Sequence, residues 1–482
     1  MAQESNFLFF FYIFLGLSGS VILPVKFVLQ DDFHIEPAEF ELIFRLSAGL
    51  WVIKFIVGFL INPVVNNLRY YKLLLTGCLL LNSIAWFFLS SWSTIEITEI
   101  RDITGILFVI FSTLCVMDVA TDGRMIKHTL NETDKNKGNT QTHAWGFRSL
   151  GRLIGGIAVI ILVNRDGLDG VSPHQFINGF VIIPIIYILL LWGGIQDDRY
   201  PPVQETEQTP RHSFCKICKM LYENFKENYK ILFFVALVFV TPSSGSNMYL
   251  YLSETTEHHG MGFDTKILGV IGLVDAAACI AGAILYKKFM KAINLRMLFT
   301  VSFILSGIVS AAQLFILLGT YKEYSVPPEL FVISDDAIGS IIGQLIFLPM
   351  MIILAHSIPR GFETVIYSGF TSFENILSVA SSFISAAMTS ALNIKRNAED
   401  DSINFDNLWI MIIITSSVGL LPIFFIKLIP CKITSYTELH VIGPNDDDDY
   451  DCDDDQGIEM IAPSSNKMSC TAAIAIADTD II

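Results

Sequence analysis

The chain has 482 residues, of which 52% are hydrophobic and only 16% are charged, where soluble domains average about a quarter charged. An ordinary soluble globule is excluded. The formal net charge of −16 says little about the body of the molecule, because eight aspartates lie in one run, DDDDYDCDDD, from Asp446 to Asp455. A like-charge block of this kind stays solvated and unstructured.

Apolar stretches of about 18 residues or more recur along the chain, each able to cross ~30 Å of hydrocarbon as a helix. Twelve spans are expected, beginning near Phe7, Leu42, Leu73, Thr104, Trp145, Phe176, Ile231, Lys266, Met297, Ile333, Gly361 and Leu408. The first is not read as a secretory signal, because its flank MAQESN carries Glu4 and no basic residue. The fold class is therefore an all-α, polytopic membrane protein embedded in a lipid bilayer. A polar connection, QDDRYPPVQETEQTPRHSFCKICKMLYENFKENYK, separates the sixth span from the seventh. The expected organisation is a six-helix bundle over 1–194, a central loop over 195–229, a second bundle over 230–430 and the acidic tail over 431–482. This six-plus-six plan is that of major facilitator transporters, whose halves are related by a pseudo-twofold axis along the membrane normal.

Lys and Arg fall mainly in the connections on one side, including Arg69, Lys72, Arg124, Lys127, Lys216, Lys219, Lys287 and Lys288. The other side holds Arg101, Arg165, Lys322, Lys395 and Arg396. This asymmetry places both termini in the cytoplasm. The eight cysteines then lie in helices or in reducing surroundings, so no disulfides are expected. CKIC at Cys215 to Cys218 has no second pair nearby to make a metal site, and NET at Asn131 falls on the cytoplasmic side.

Charges inside the apolar spans need a reason, since each carboxylate there costs a few kcal/mol. In the fourth span, FSTLCVMDVATDGRMIKH, Asp118 and Asp122 are four residues apart and share a helix face. The fifth opens with WGFRSLGRLIGG, where Arg148 and Arg152 have the same spacing. A hairpin of these neighbours brings acids and bases to similar depth, either as a latch between helices or as a gate or proton relay. Lys54 lies mid-span in the second helix, where a buried carboxylate or an anionic substrate could neutralise it. The second half adds Asp275 in the eighth span, Asp335 and Asp336 at the start of the tenth, and Glu363 and Glu374 in the eleventh. Glu363 is shallow, after Arg360 and Gly361, and suits a helix cap; Glu374, beside Asn375, is deep. The clusters GRLIGG and AAACIAGA let helices approach closely. No Walker loop, HEXXH or nucleophile elbow accompanies these charges, so an ATP-driven pump or an enzyme loses ground. Nothing calls for a cofactor, a metal or a nucleic-acid partner.

Taken together, LPVKFVLQDDFHIEPAEF, LWVIKFIVGFLIN, MDVATDGR and HAWGFRSLGRLIGG resemble the folate-biopterin transporter family of the major facilitator superfamily. In the second half VTPSSGSNMYLYL, ISDDAIGSIIGQLIFLPMMIILAHSIPRGFETVIYSGFTSFEN and NFDNLWIMIIITSSVGLLPIFFIKLIP carry the same likeness. The family usually has prolines flanking the Trp and Lys of the second helix, where this chain has Leu50 and Phe55, and an aspartate where it has Asn62. Asn62 also takes the acidic place in the superfamily loop motif that runs from Gly58 through Arg69 and Lys72. The resemblance implies transport of folates or pterins, often coupled to protons as symport, at the plasma membrane. Folate's glutamate tail asks for Lys54 or Arg148; its pterin ring asks for Asp118, Asp336 or Glu374 and for an aromatic such as Tyr249, Tyr251 or Phe373. A carrier for another small organic anion or an amino acid, or a non-transporting sensor of the same fold, stays open as an alternative.

Overall fold

The computed structural model describes residues 2–91, 100–130, 139–164, 170–194, 219, 222–223, 225–290, 293–356, 363–397 and 401–429. The acidic tail, the CKIC pair, Asn131 and Arg360 lie outside the described residues, as do the side chains of Asn62 and Glu363.

Nearly all of the described chain is helix. The first half holds α1 (Ala2–Ser20), α2 (Ile22–Asp31), α3 (Pro37–Ser47), α4 (Gly49–Val52), α5 (Lys54–Asn66), α6 (Leu68–Ser90), α7 (Ile100–Leu130), α8 (Asn139–Leu162), α9 (Pro173–Phe180) and α10 (Ile182–Gly194). The second half holds α11 (Tyr229–Phe239), α12 (Gly245–Ser253), α13 (Thr265–Leu285), α14 (Leu295–Ala312), α15 (Leu314–Leu317), α16 (Pro328–His356), α17 (Glu363–Ala391) and α18 (Leu408–Val418). Helix covers the expected spans, and among the described residues 8 helices are long and apolar enough to cross a membrane. The segments over 37–66, 139–162, 229–253 and 363–391 are interrupted or carry more polar residues. Outward ladders such as Leu73, Leu80, Leu81, Ile84, Phe87 and Phe88 on α6 are exposed, as a hydrocarbon solvent requires.

The interruptions have local causes. Pro24 and Pro184 each lack an N–H and crowd the carbonyl four residues back, at Ser20 and Phe180, where α1 and α9 end. In both cases helix resumes after one residue, so α1 and α2 form one span from Phe9 to Asp31. The segment LPVKFVLQDD thus lies inside the first span, and Lys26 is a residue of it. The helix over 37–66 breaks at Ala48 and Ile53 without any proline. There the amide of Phe55 donates to Ser372 Oγ on α17 at 3.2 Å, and the indole of Trp51 donates to the Phe111 carbonyl at 3.3 Å. The break is held by a side chain from the other half. Side-chain caps start the later helices: Asn67 accepts from the amides of Arg69 and Tyr70, and Asp264 from that of Ile267.

Two glycines of GRLIGG bring α8 against α1. A Cβ on Gly151 would collide with the carbonyl of Ile13, one on Gly155 with Ser20, and one on Gly16 with the carbonyl of Arg148. The two backbones are in contact, which is how helices associate where lipid gives no hydrophobic drive. A large core built on Phe11, Phe14, Tyr71, Leu75, Trp86 and Met117 fills the first half and reaches Leu250, Leu408 and Met411 of the second. A second core, around Phe234, Phe299, Phe303 and Phe370, lies within the second half.

The Phe55 amide gives a direct test. Ser372→Ala should destabilise the purified protein by about 1–3 kcal/mol, the cost of an unsatisfied donor, while in a Phe55→Pro background the same change should cost little. A double-mutant cycle of thermal unfolding in detergent that returns equal costs would contradict this account.

Candidate functional site

Four charges meet in the interior of the first half. Asp118 on α7 is 1% exposed and accepts from two cations at once. Lys54 Nζ lies 2.8 Å from its Oδ2, and Arg148 Nη1 lies 2.8 Å from its Oδ1. Lys54 also reaches Asp122 Oδ2 at 3.4 Å, and the Tyr12 hydroxyl donates to Asp122 Oδ1 at 2.7 Å. Trp51 places its ring 5.2 Å from the ammonium. Two acids and two bases sum to zero, so a low-dielectric interior holds them at far lower cost than any one alone. The cluster ties α1, α5, α7 and α8 together.

Asp118 and Arg148 are in contact, as their spacing predicts, whereas Asp122 does not pair with Arg152. Asp122 spends its oxygens on Lys54 and Tyr12, whereas Arg152, one turn along α8, lines a cavity. The reason is the glycine contact with α1, which sets the rotation of α8 and leaves its four-residue stripe split between two surroundings. Gly58 faces Val119 of α7 at an ordinary van der Waals distance, so space alone does not demand glycine there.

The cavity has a volume of about 730 Å³ and is walled by both halves. From the first half come Lys26, Arg152 and Gly156; from the second come Tyr249, Asp275, Gln313, Asp335, Asp336 and Ser340. Ser340 Oγ donates to Asp275 Oδ1. Asp336 Oδ2 is buried without a hydrogen-bond partner. Lys26 holds its ammonium 4.2 Å from the centre of the Tyr249 ring, and that ring stacks on Phe40 at 5.8 Å. Of the three aromatics expected to stack on cargo, Tyr249 alone lines the cavity. Tyr251 packs edge-on against Phe405 and Phe373 against Phe225. Glu374 is half-buried on α17, within electrostatic range of Arg45 and Lys54, and Asn375 donates to the Thr371 carbonyl of its own helix at 2.7 Å. Neither lines the cavity.

Lys26 is the residue that the sequence reading missed. Its signal was a lone lysine between Val25 and Phe27 in an apolar run. Gln30 and Glu254 were missed as well. At the end of the molecule that carries the loops after α2 and α12, Gln30 Nε2 donates to Glu254 Oε2 at 3.3 Å, and Ser253 Oγ donates to Gln30 Oε1 at 2.8 Å. Nearby, the Arg396 amide donates to Glu36 at 3.0 Å, and His34 meets Asp401 at 2.6 Å. His34 and Asp401 both hold left-handed backbones, φ 45° and 58°, a strain that a tight inter-loop contact must offset. This end is fastened across the halves.

The charge cluster predicts an asymmetry between neighbouring aspartates. Asp118→Asn leaves two buried cations short of an acid and should lower stability by about 3–5 kcal/mol. Asp122→Asn, at a carboxylate whose side chain is 30% exposed, should cost clearly less. Thermal unfolding in detergent orders the two, and an equal or reversed order would contradict the hub.

Comparison with known proteins agrees with this architecture. The BT1 family model matches residues 16–440. A folate-biopterin transporter of Synechocystis sp. is 24% identical over 426 residues, covering 87% of this chain and 80% of that protein. Folate transporter 1 of Plasmodium falciparum is 24% identical over 415 residues, covering 85% and 76%. Among solved structures, the nucleoside transporter NupG superposes with a TM-score of 0.60 at 11% identity, covering 89% of this chain and 98% of that one. A D-xylose-proton symporter likewise gives 0.60 at 11% identity, covering 89% and 98%. These neighbours carry the major facilitator fold, and this chain sets within it a paired charge cluster and a cavity walled by both halves. By sequence and by fold, the chain belongs to the BT1 family of membrane transporters.

Proposed function

We propose that this protein carries folate or a related pterin across a membrane by rocking its two halves, 1–194 and 230–430, about a central site. The observation that carries the reading is the polar cavity walled by both halves. A cargo seated there touches each half, so relative motion of the halves exposes it to one side and then the other. Relatives named for folate and biopterin supply the cargo class, and the cavity is of a size that takes such a ligand, in the usual range of about 300–1,000 Å³. The distribution of Lys and Arg supports cytoplasmic termini, and the plasma membrane is the site we favour. In that orientation the end fastened by Gln30, Glu36 and His34 faces outward, so the conformation described is closed to the outside.

Proton coupling fits the cavity carboxylates better than the buried hub. Protonating Asp118 would strip the acid from Lys54 and Arg148 together, an expensive step in low dielectric. Asp336, with an oxygen that lacks a partner, has no such penalty. In this reading Lys54, Asp118, Asp122 and Arg148 form the pivot of the first half, and Arg152 and Asp336 face cargo.

Uptake of radiolabelled folate into proteoliposomes should saturate and should rise when the outer solution is acidified. Absence of saturable uptake of any pterin would overturn the proposal, and uptake indifferent to the pH gradient would remove the proton from it. Bridging His34→Cys to Asp401→Cys with a short thiol-cleavable cross-linker should block uptake, and reduction should restore it. Full transport by the bridged protein would mean that this end need not open.

A further inference from the structure

Resting on the reading above, the charges of the cavity also specify how the cargo lies in it. The wall from the first half is cationic: Lys26 on α2 and Arg152 on α8. The facing wall from the second half is anionic: Asp275 on α13, with Asp335 and Asp336 on α16. Buried charges in the hub find partners at 2.8 Å. The cavity charges do not. Among the described residues no carboxylate lies within ion-pairing distance of Lys26 or Arg152. Lys26 instead faces the Tyr249 ring, with Glu41 the acid whose field it feels. Arg152 feels the like charge of Arg148 on its own helix most, and Asp275 is the acid that offsets it. On the anionic wall Asp275 is held by Ser340, while one oxygen of Asp336 is buried and unbonded.

Opposite charges separated by an open gap inside a membrane are costly unless something with the inverse arrangement fills it. A cargo that fits must present an anion to α2 and α8 and a row of N–H donors to α13 and α16. We propose that Lys26 and Arg152 bind the carboxylate of the cargo and that Asp336, flanked by Asp275 and Asp335, accepts the amino and ring N–H donors of the pterin edge. Guanidinium to carboxylate, and carboxylate to a paired N–H edge, are both charge-assisted and bidentate in character. The two walls belong to different halves, so a cargo bearing both groups joins them, while a cargo bearing one group engages one wall.

The test uses three radiolabelled probes on the full chain in proteoliposomes: folate, biopterin, which has the ring without a carboxylate, and p-aminobenzoylglutamate, which has the tail without the ring. Arg152→Gln and Lys26→Gln should each weaken folate and p-aminobenzoylglutamate by about tenfold or more, the worth of a charged hydrogen bond, and leave biopterin nearly unchanged. Arg152→Lys should recover part of the loss. Asp336→Asn should weaken folate and biopterin and spare p-aminobenzoylglutamate. Equal losses for all three probes in every variant, or none in any, would overturn the assignment. If the wild-type protein binds none of the probes, the folate reading fails by itself, and the wall charges are decided by cysteine chemistry. In a Cys279→Ser background, Gly156→Cys on the cationic wall should react faster with an anionic thiosulfonate than with a cationic one. Gly339→Cys on the anionic wall should show the reverse preference. Loss of the Gly156→Cys preference on adding Arg152→Gln supports the polarity; equal rates at both walls refute it.

Discussion

The bond from Asp118 to Lys54 and Arg148 is the constraint on which the first half is built. A carboxylate 1% exposed inside a membrane helix is tolerable only because two cations reach it from different helices, and each cation is tolerable only because the acid is there. That mutual dependence fixes the depth of α5, α7 and α8 relative to one another. Asp122 and Tyr12 extend the network to α1, and the second acid brings the sum of charges to zero. Once this electroneutral knot exists, the remaining polar residues of the span are released for other work, and the cavity is where they are found.

Parts of this arrangement were legible in the residues. The cost of charge in hydrocarbon marks Asp118, Arg148 and Lys54 as a group, and four-residue spacing orients Asp118 toward the neighbouring helix. What spacing could not supply was rotation. Arg148 and Arg152 share a stripe on α8, but the bare backbone contact of Gly151 with Ile13 turns that stripe so that one arginine enters the knot and the other enters the cavity. Asp336 was singled out as a partner for a pterin ring, yet its unbonded oxygen is a property of packing against α13 and α14 that no single sequence displays. Lys26, a lone cation in an apolar run, was not weighed, and the span carries on past Pro24 to Asp31. Proline ends a helix in water more firmly than in a membrane span, where one skipped turn costs less than leaving the segment unstructured.

The second helix shows the converse. The family resemblance leads one to expect prolines beside Trp51 and Lys54, where this chain has Leu50 and Phe55, so no break would be read there. The break persists at Ala48 and Ile53, because Ser372 accepts the amide that an uninterrupted helix would have used. A tertiary partner thus does what a backbone restriction could do, and part of what holds the break lies in the other half of the chain.

The glycine contact between α1 and α8 has a mechanical consequence. Two rods whose main chains touch cannot slide or roll past each other without collision at Gly16 and Gly151, so α1 acts as a fixed rail that sets the register of Arg148 and Arg152 on α8.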